Sequence, residues 1–222
     1  MKEYVIIVAG GTGSRMKSDI PKQFIVVNGL PILMHTLFAF TKYSSEISII
    51  LVLPQDQFSF WEKLCSEYQF KMSYQLVAGG ATRFDSVKNG LNSISEKNAL
   101  VAVHDGVRPV ITSNVILNSF TTALNEGTAV ASVALKDSIR TVSASGTNKA
   151  LDRSSVRLIQ TPQTFRIDWM NKAFDQPYQT TFTDCASVLE SAGYPINLFE
   201  GSYENIKITT PEDLKWAEVY LR

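Results

Sequence analysis

The stretch Val5-Ile6-Ile7-Val8-Ala9 runs without a break into Gly10-Gly11-Thr12-Gly13, and this junction constrains the chain more than any other. An apolar run of this length suits one strand buried on both faces, as in a parallel sheet, and is too short for a core helix. The glycines let the following backbone adopt positive φ and let a bulky group approach its N–H groups. Arg15 and Lys22 lie just beyond. A buried strand that ends in a bare loop with two cations after it suits a polyphosphate.

Two familiar phosphate loops do not match. Walker A requires G-x-x-x-x-G-K-[ST], but Arg15 stands five positions after Gly10, and Lys22 follows Pro21 rather than Gly. The dinucleotide fingerprint has Gly11-x-Gly13 but carries Met16 at its third glycine, where close strand-to-helix packing needs a residue without a side chain. What remains is A-G-G-x-G-S-R-M-x4-P-K. Its plain alternative is a tight turn with Arg15 and Lys22 in solvent.

With 222 residues, 45% of them hydrophobic, the chain is long enough for one α/β domain with a full core, and residues 1–222 are read as a single domain. Lys plus Arg (21) equals Asp plus Glu (21), so no general field attracts nucleic acid or an anionic membrane, and any basic site must be local. No apolar stretch approaches the ~20 residues of a membrane span, and the first apolar run leads into the glycine loop rather than a cleavage site. The expectation is a cytoplasmic protein without nucleic-acid or membrane partners. Cys65 and Cys185 have no CxxC spacing and read as two thiols.

Beyond the loop, strand and helix alternate. Apolar runs and helical spacings predict strands over 47–53, 74–78, 100–104 and 129–135, and helices from about 31 and over 58–68, 84–94 and 115–124. Gly127 stands at the expected stop of the last of these, and Asn28-Gly29 marks a turn. From 136 to 157 polar and apolar residues alternate about the turn Ala144-Ser145-Gly146-Thr147, which predicts a hairpin leaving the domain. A lone two-stranded ribbon is marginal in water, so a second copy of the chain is its natural support. Then come strands at 158–160, 196–199 and 206–208, helices near 168–174 and 186–192, and a final helix opened by Thr210-Pro211-Glu212-Asp213.

Several further segments carry chemistry. His104-Asp105-Gly106-Val107-Arg108-Pro109 ends a predicted central strand, where open α/β sheets bind ligands. Asp105 suits Mg²⁺ or a sugar or polyol hydroxyl, and Arg108 a phosphate; the alternative is that the two pair in a structural turn. His104 alone reads as a packed, hydrogen-bonded residue. Ala78-Gly79-Gly80-x-x-Arg83-x-x-Ser86 repeats the strand-to-glycine-to-helix logic, with backbone groups and the Ser86 hydroxyl suited to a base edge. Thr161-Pro162-Gln163 follows another strand, and Lys207 in Asn205-Ile206-Lys207-Ile208-Thr209 either points outward or lines a pocket.

Taken in order, A-G-G-x-G-S-R-M with P-K-Q, G-G-x-x-R-x-x-S, H-D-G-V-R-P, T-P-Q and N-I-K-I-T-T-P-E-D-L resemble the 2-C-methyl-D-erythritol 4-phosphate cytidylyltransferase family. The resemblance runs from Tyr4 to the C-terminus. It implies an α/β, Rossmann-like nucleotidyltransferase fold of GT-A type, with a mixed, mostly parallel sheet flanked by helices and a projecting β-hairpin arm. It also implies CMP transfer from CTP to a polyol phosphate in the non-mevalonate isoprenoid pathway, with Mg²⁺ and with a homodimer formed through the 136–157 arm. By the same resemblance Arg15, Lys22, Arg153 and Lys207 are catalytic, and Ala9, Gly10, Gly11, Gly13, Gly80, Ser86 and Asp105 bind CTP. Asp105, Arg108, Ser138, Arg153, Thr161, Thr183 and Lys207 would face the polyol phosphate, with Asp105 also a possible metal ligand beside the CTP phosphates.

Four positions depart from the family pattern. Ser138 stands where Thr is frequent and keeps the hydroxyl, Gly106-Val107 replaces a commoner Ala-Ala, and Cys185 follows Thr183-Asp184 where an acid is usual. The competing readings are a ribitol-5-phosphate cytidylyltransferase, a non-catalytic nucleotide-binding regulator and a glycosyltransferase. Arg153 in L-D-R-S-S and the T-D-C-A-S-V-L-E-S-A-G segment speak against the first, retention of Arg15, Lys22 and Lys207 against the second, and the lack of a D-x-D motif at Asp105 or Asp137 against the third.

Overall fold

The structure is a computed structural model and describes residues 1–11, 16 and 20–221. Gly13 and Arg15, two of the expected site residues, lie outside the described residues.

The predicted first strand is β1, Lys2–Val8. Its side chains alternate between two cores: Val5 and Ile7 pack in one cluster and Ile6 in the other, all fully buried. This is the period-two geometry of a strand covered on both faces, and burying each such side chain contributes about 1.5–3 kcal/mol. A small hairpin, β2 (Val26–Val27) and β3 (Leu30–Pro31), turns at Asn28 and Gly29, where φ is 48° and 84°. Both values lie in the left-handed region that Asn and Gly tolerate in a two-residue turn.

Helix α1 (Ile32–Tyr43) then leads to β4 (Ser48–Leu53), α2 (Phe58–Glu67) to β5 (Gln75–Ala78), and α3 (Arg83–Asn92) to β6 (Ala99–Asp105). Helix α4 (Ser113–Glu126) ends at Gly127, whose φ of 83° closes the helix as the sequence predicts, and β7 (Thr128–Ala134) follows. The arm consists of β8 (Ile139–Val142) and β9 (Asn148–Leu151), which pair only with each other. The chain finishes with β10 (Arg157–Arg166), α5 (Ile167–Phe174), α6 (Cys185–Ser191), β11 (Leu198–Glu200) and α7 (Pro211–Tyr220).

The main sheet has the order β11-β7-β10-β6-β1-β4-β5, with β10 antiparallel to both neighbours and the other pairs parallel. The fold is α/β, with a mixed, mostly parallel sheet between helices. From β1 the chain winds outward through β4 and β5, then returns to lay β6 on the other side of β1. That reversal puts a crevice at the carboxyl end of β1, where open sheets of this kind bind ligands.

Two expectations change. The strand expected at 158–160 extends through Pro162 to Arg166, because Pro162 falls where the β10–β7 register shifts between Ile159 and Gln163. No ladder N–H is required there, so a residue without one is tolerated. Residues 206–208 do not form a strand: Ile208 N–H donates to Val107 O at 2.9 Å, which ties the segment to the loop after β6.

Candidate functional site

A cleft of about 440 Å³ lies at the carboxyl ends of β1, β4, β5 and β6. Each strand supplies a wall: Ala9, Gly10 and Gly11 after β1, Pro54 and Gln55 after β4, Gly79 to Arg83 after β5, and Asp105 with Val107 at β6. Lys22, Gln23, Ser86 and Lys207 complete it.

The floor near β6 is a charge cluster. Asp105 Oδ2 lies 3.0 Å from Lys207 Nζ and 3.3 Å from Arg108 Nε, and Oδ1 lies 3.6 Å from Arg83 Nη2. Burial by itself would raise the Asp105 carboxyl, but the three cations, Arg83 foremost, outweigh it and hold the group well below the usual carboxylate range. Arg108 lies behind the wall, but among the described residues Lys22, Arg83 and Lys207 line the cleft against the one carboxylate of Asp105, an excess of two positive charges that suits an anionic guest.

Each cation is positioned by its own element. Thr82 caps α3 through a capping box with Asp85, which starts the helix at Arg83 and turns that side chain to the cleft. Its other guanidinium nitrogen reaches the buried Cys185 sulfur at 3.4 Å. Arg108 is nearly buried, and its Nη1 donates to Asn205 O at 2.7 Å. Lys207 follows on the segment held by Val107 and points into the cleft rather than outward. Arg108 and Asp105 do pair in a turn, so the structural alternative describes Arg108 correctly while Asp105 also faces the cavity.

The glycine loops are organised by their neighbours. Ala9 N–H donates to Val52 O at 3.0 Å and its carbonyl accepts from Gln23 Nε2 at 2.8 Å. Ser86 Oγ accepts from Gly80 N–H at 3.1 Å and donates to Thr82 O at 2.9 Å. The Ser86 hydroxyl therefore shapes the Gly80 turn, leaving its second lone pair and the Gly80 carbonyl for a guest. Lys22 is buried in a short 3-10 turn, Lys22–Phe24, beside Gly11.

The other expected residues lie elsewhere. Thr161 is buried below the cleft and bonds Asp105 N–H and His104. Ser138 and Arg153 are exposed on the arm, Arg153 donating to Lys136 O, and Thr183 is exposed just before α6. None of these four lines the cleft within this chain.

The surroundings of Asp105 bear on its expected place beside a metal held mainly by the CTP phosphates. It is the only carboxylate among the described residues of the cleft, and three cations crowd its two oxygens. A divalent cation seeks several anionic or carbonyl oxygens, so the side chains here do not hold a magnesium by themselves, and a phosphate-rich guest would have to supply most of its ligands. Among the described residues no group of three or more His, Cys, Asp or Glu side chains is placed to hold a metal.

The family model for 2-C-methyl-D-erythritol 4-phosphate cytidylyltransferase matches residues 4–222. The chain belongs to that family. A relative of this name from Bacteroides thetaiotaomicron is 47% identical over 221 residues and is covered end to end, as is this chain. The Porphyromonas gingivalis enzyme of the same name is also 47% identical, over 99% of this chain and 98% of its own. Among solved structures, that of the Francisella tularensis cytidylyltransferase aligns with a TM-score of 0.82 at 33% identity, over 99% of this chain and all of its own. In such an enzyme the cleft must receive a triphosphate and a second phosphate, which accords with its excess of cations.

Arg83, Gln23 and Asn205 stand within the quoted motifs, but no role was assigned to them from the sequence. Arg83 had a usable signal, since a glycine pair followed by a Thr N-cap places the first helical side chain at a loop that binds ligands. Gln23 and Asn205 had none, because each acts by bridging segments far apart in the chain.

Proposed function

We propose that the chain transfers a cytidylyl group from CTP to 2-C-methyl-D-erythritol 4-phosphate, releasing pyrophosphate. The observation that carries the reading is the ring of Arg83, Arg108 and Lys207 about Asp105, set beside a glycine loop at the carboxyl end of β1. The acceptor phosphate is already an anionic nucleophile, so its oxygen attacks the α-phosphorus in line and no strong general base is needed. The protein's task is to align two anions and offset their repulsion.

In this reading Arg15 and Lys22 stabilise charge at the α-phosphate, and Gly10, Gly11 and Gly13 lie along the triphosphate. Ala9, Gly80 and Ser86 face the cytosine. Asp105 accepts from a hydroxyl of ribose or polyol, while Lys207 and Arg108 favour the acceptor phosphate. Magnesium comes with CTP, on the phosphate oxygens, as part of the substrate. Ser138 and Arg153 serve the neighbouring site of a homodimer, a reading supported by the exposed Val142 and Leu151 of the arm, which are apolar surface in want of cover. A cytoplasmic setting is part of the same reading, supported by two unpaired thiols, Cys65 and Cys185.

Pyrophosphate release with CTP and Mg²⁺, compared across methylerythritol phosphate, ribitol phosphate and sugar 1-phosphates, tests it. Turnover fastest with methylerythritol phosphate supports the reading. A preference for ribitol phosphate, or no release with any acceptor, overturns it.

A further inference from the structure

His104 and Thr161 form a proton-ordered link beneath the cleft. The His104 ring is fully buried at the end of β6, edge-on to Phe40 with ring centres 5.0 Å apart. Its Nε2 lies 3.0 Å from Arg108 O, and its Nδ1 lies 3.1 Å from Thr161 Oγ1. Thr161 Oγ1 also accepts from Asp105 N–H at 3.1 Å.

The direction of each bond is dictated by valence. A carbonyl only accepts, so Nε2 must carry a proton and donate to Arg108 O. If Nδ1 were protonated as well, it would point its N–H at an oxygen that already takes one from Asp105, and the Thr161 hydroxyl proton would be buried without an acceptor. The arrangement without an orphan is Asp105 N–H to Thr161 Oγ1, Thr161 O–H to His104 Nδ1, and His104 Nε2–H to Arg108 O. Burial pushes the imidazole down to about 4, which keeps it neutral near pH 7, as this order requires.

One ring thus ties together the strand end that carries Asp105, the turn that carries Arg108, and β10. Asn205 extends the link, because its Nδ2 donates to Thr161 O at 2.7 Å and its own carbonyl takes Arg108 Nη1. The Thr161 hydroxyl has given its single proton to His104, so it has none for a substrate phosphate.

We propose that His104, as the neutral Nε2–H tautomer, is a positioning residue that acts through Thr161 to hold Asp105 and Arg108 in their substrate-binding geometry. The kinetic consequence rests on the cytidylyl-transfer reading; the tautomer does not. A misplacement on the order of 1 Å at a reacting constellation can lower a rate by about 10²-fold, which sets the scale.

The test has two arms. The first records ring-nitrogen NMR shifts on histidine-labelled protein, which carries only two histidines, His35 and His104. A bare Nδ1 and a protonated Nε2 at pH 7 are expected for His104, and an Nδ1–H tautomer or an imidazolium overturns the proposal whatever the enzyme's substrate is. The second arm compares Thr161→Val, Thr161→Ser, His104→Gln and the double variant His104→Gln/Thr161→Val, with rates normalised to folded protein. His104→Gln and Thr161→Val are each expected to lower kcat/KM for the acceptor by between about 10- and 100-fold. Thr161→Ser restores the rate to within about threefold, and the double variant is no worse than the weaker single one, since both act on one link. Wild-type rates per folded molecule in His104→Gln, or additive losses in the double variant, overturn the proposal, since Thr161 would then act on the substrate directly. If His104→Gln does not fold, the NMR arm and the Val/Ser pair at Thr161 still decide. Absence of wild-type cytidylyl transfer would sink the functional reading and leave the NMR result standing.

Discussion

Replacing Asp105 by Asn removes one negative charge and little volume, and the charge cluster sets the size of the effect. The Asp105 side chain is 9% exposed and that of Arg108 11%, whereas those of Arg83 and Lys207 are 32% and 42% exposed. Solvent screens the Lys207 contact most, so the stability effect comes mainly from the less exposed Arg83 and Arg108 contacts. Removing one partner of a buried pair costs about 3–5 kcal/mol, and because Asn still accepts a hydrogen bond the low end, about 3 kcal/mol, is expected at pH 7. Urea unfolding of wild type and Asp105→Asn measures it. The dependence on pH is a sharper check. The carboxyl titrates at about 3.9 in the unfolded chain and well below that in the folded one, so its stabilisation is complete above pH ~4 and is lost as pH falls through the folded value. The gap between wild type and variant should therefore narrow by about 1.4 kcal/mol for each pH unit below ~4. A gap under about 1 kcal/mol at pH 7, or one that stays constant down to pH 3, would refute the reasoning.

Lys22→Ala should lower turnover by about 10²- to 10³-fold, the usual cost of losing one preorganised stabiliser of transition-state charge; a variant that keeps more than about a tenth of wild-type pyrophosphate release would remove Lys22 from that role. A methyl group at Gly80 would clash with Asp85 Cβ, inside the capping box of α3, so Gly80→Ala should cost about 1–3 kcal/mol in thermal unfolding and raise the KM for CTP. An unshifted melting curve and an unchanged KM would show that the loop yields without strain. For the arm, Lys22→Ala and Arg153→Ala chains should each be nearly inactive alone. Random 1:1 assembly of a two-fold dimer makes half the dimers mixed, each with one whole site, so about a quarter of all sites should recover. A folded mixed dimer, isolated with two tags and inactive, would mean that Arg153 works within its own chain.

Much of this protein is written locally in the sequence. Of the run from Val5 to Ala9, Val5 to Val8 form the carboxyl half of a strand covered on both faces, the Asn28-Gly29 and Gly127 positions took the left-handed φ values that their residue types allow, and Asp213 accepts from Thr209 and Thr210 N–H at the start of α7. Such features need only a few neighbouring residues, because periodicity, φ and capping are short-range properties. The glycine loop and the Asp105 strand end were legible as separate segments for the same reason, whereas Lys207 read as pointing either outward or into a pocket.

What only the tertiary structure decided is how those segments meet. Arg83, Asp105 and Lys207 are far apart in sequence and converge because β6 returns to the side of β1 opposite β4, a strand order that no single segment encodes. Pro162 reads as a strand stop until a register shift removes the need for its N–H, and residues 206–208 read as a strand until Val107 claims the Ile208 N–H. Local sequence specifies what each piece prefers to be, whereas the partners of its hydrogen bonds and charges are set by long-range packing, which can override that preference wherever the two conflict.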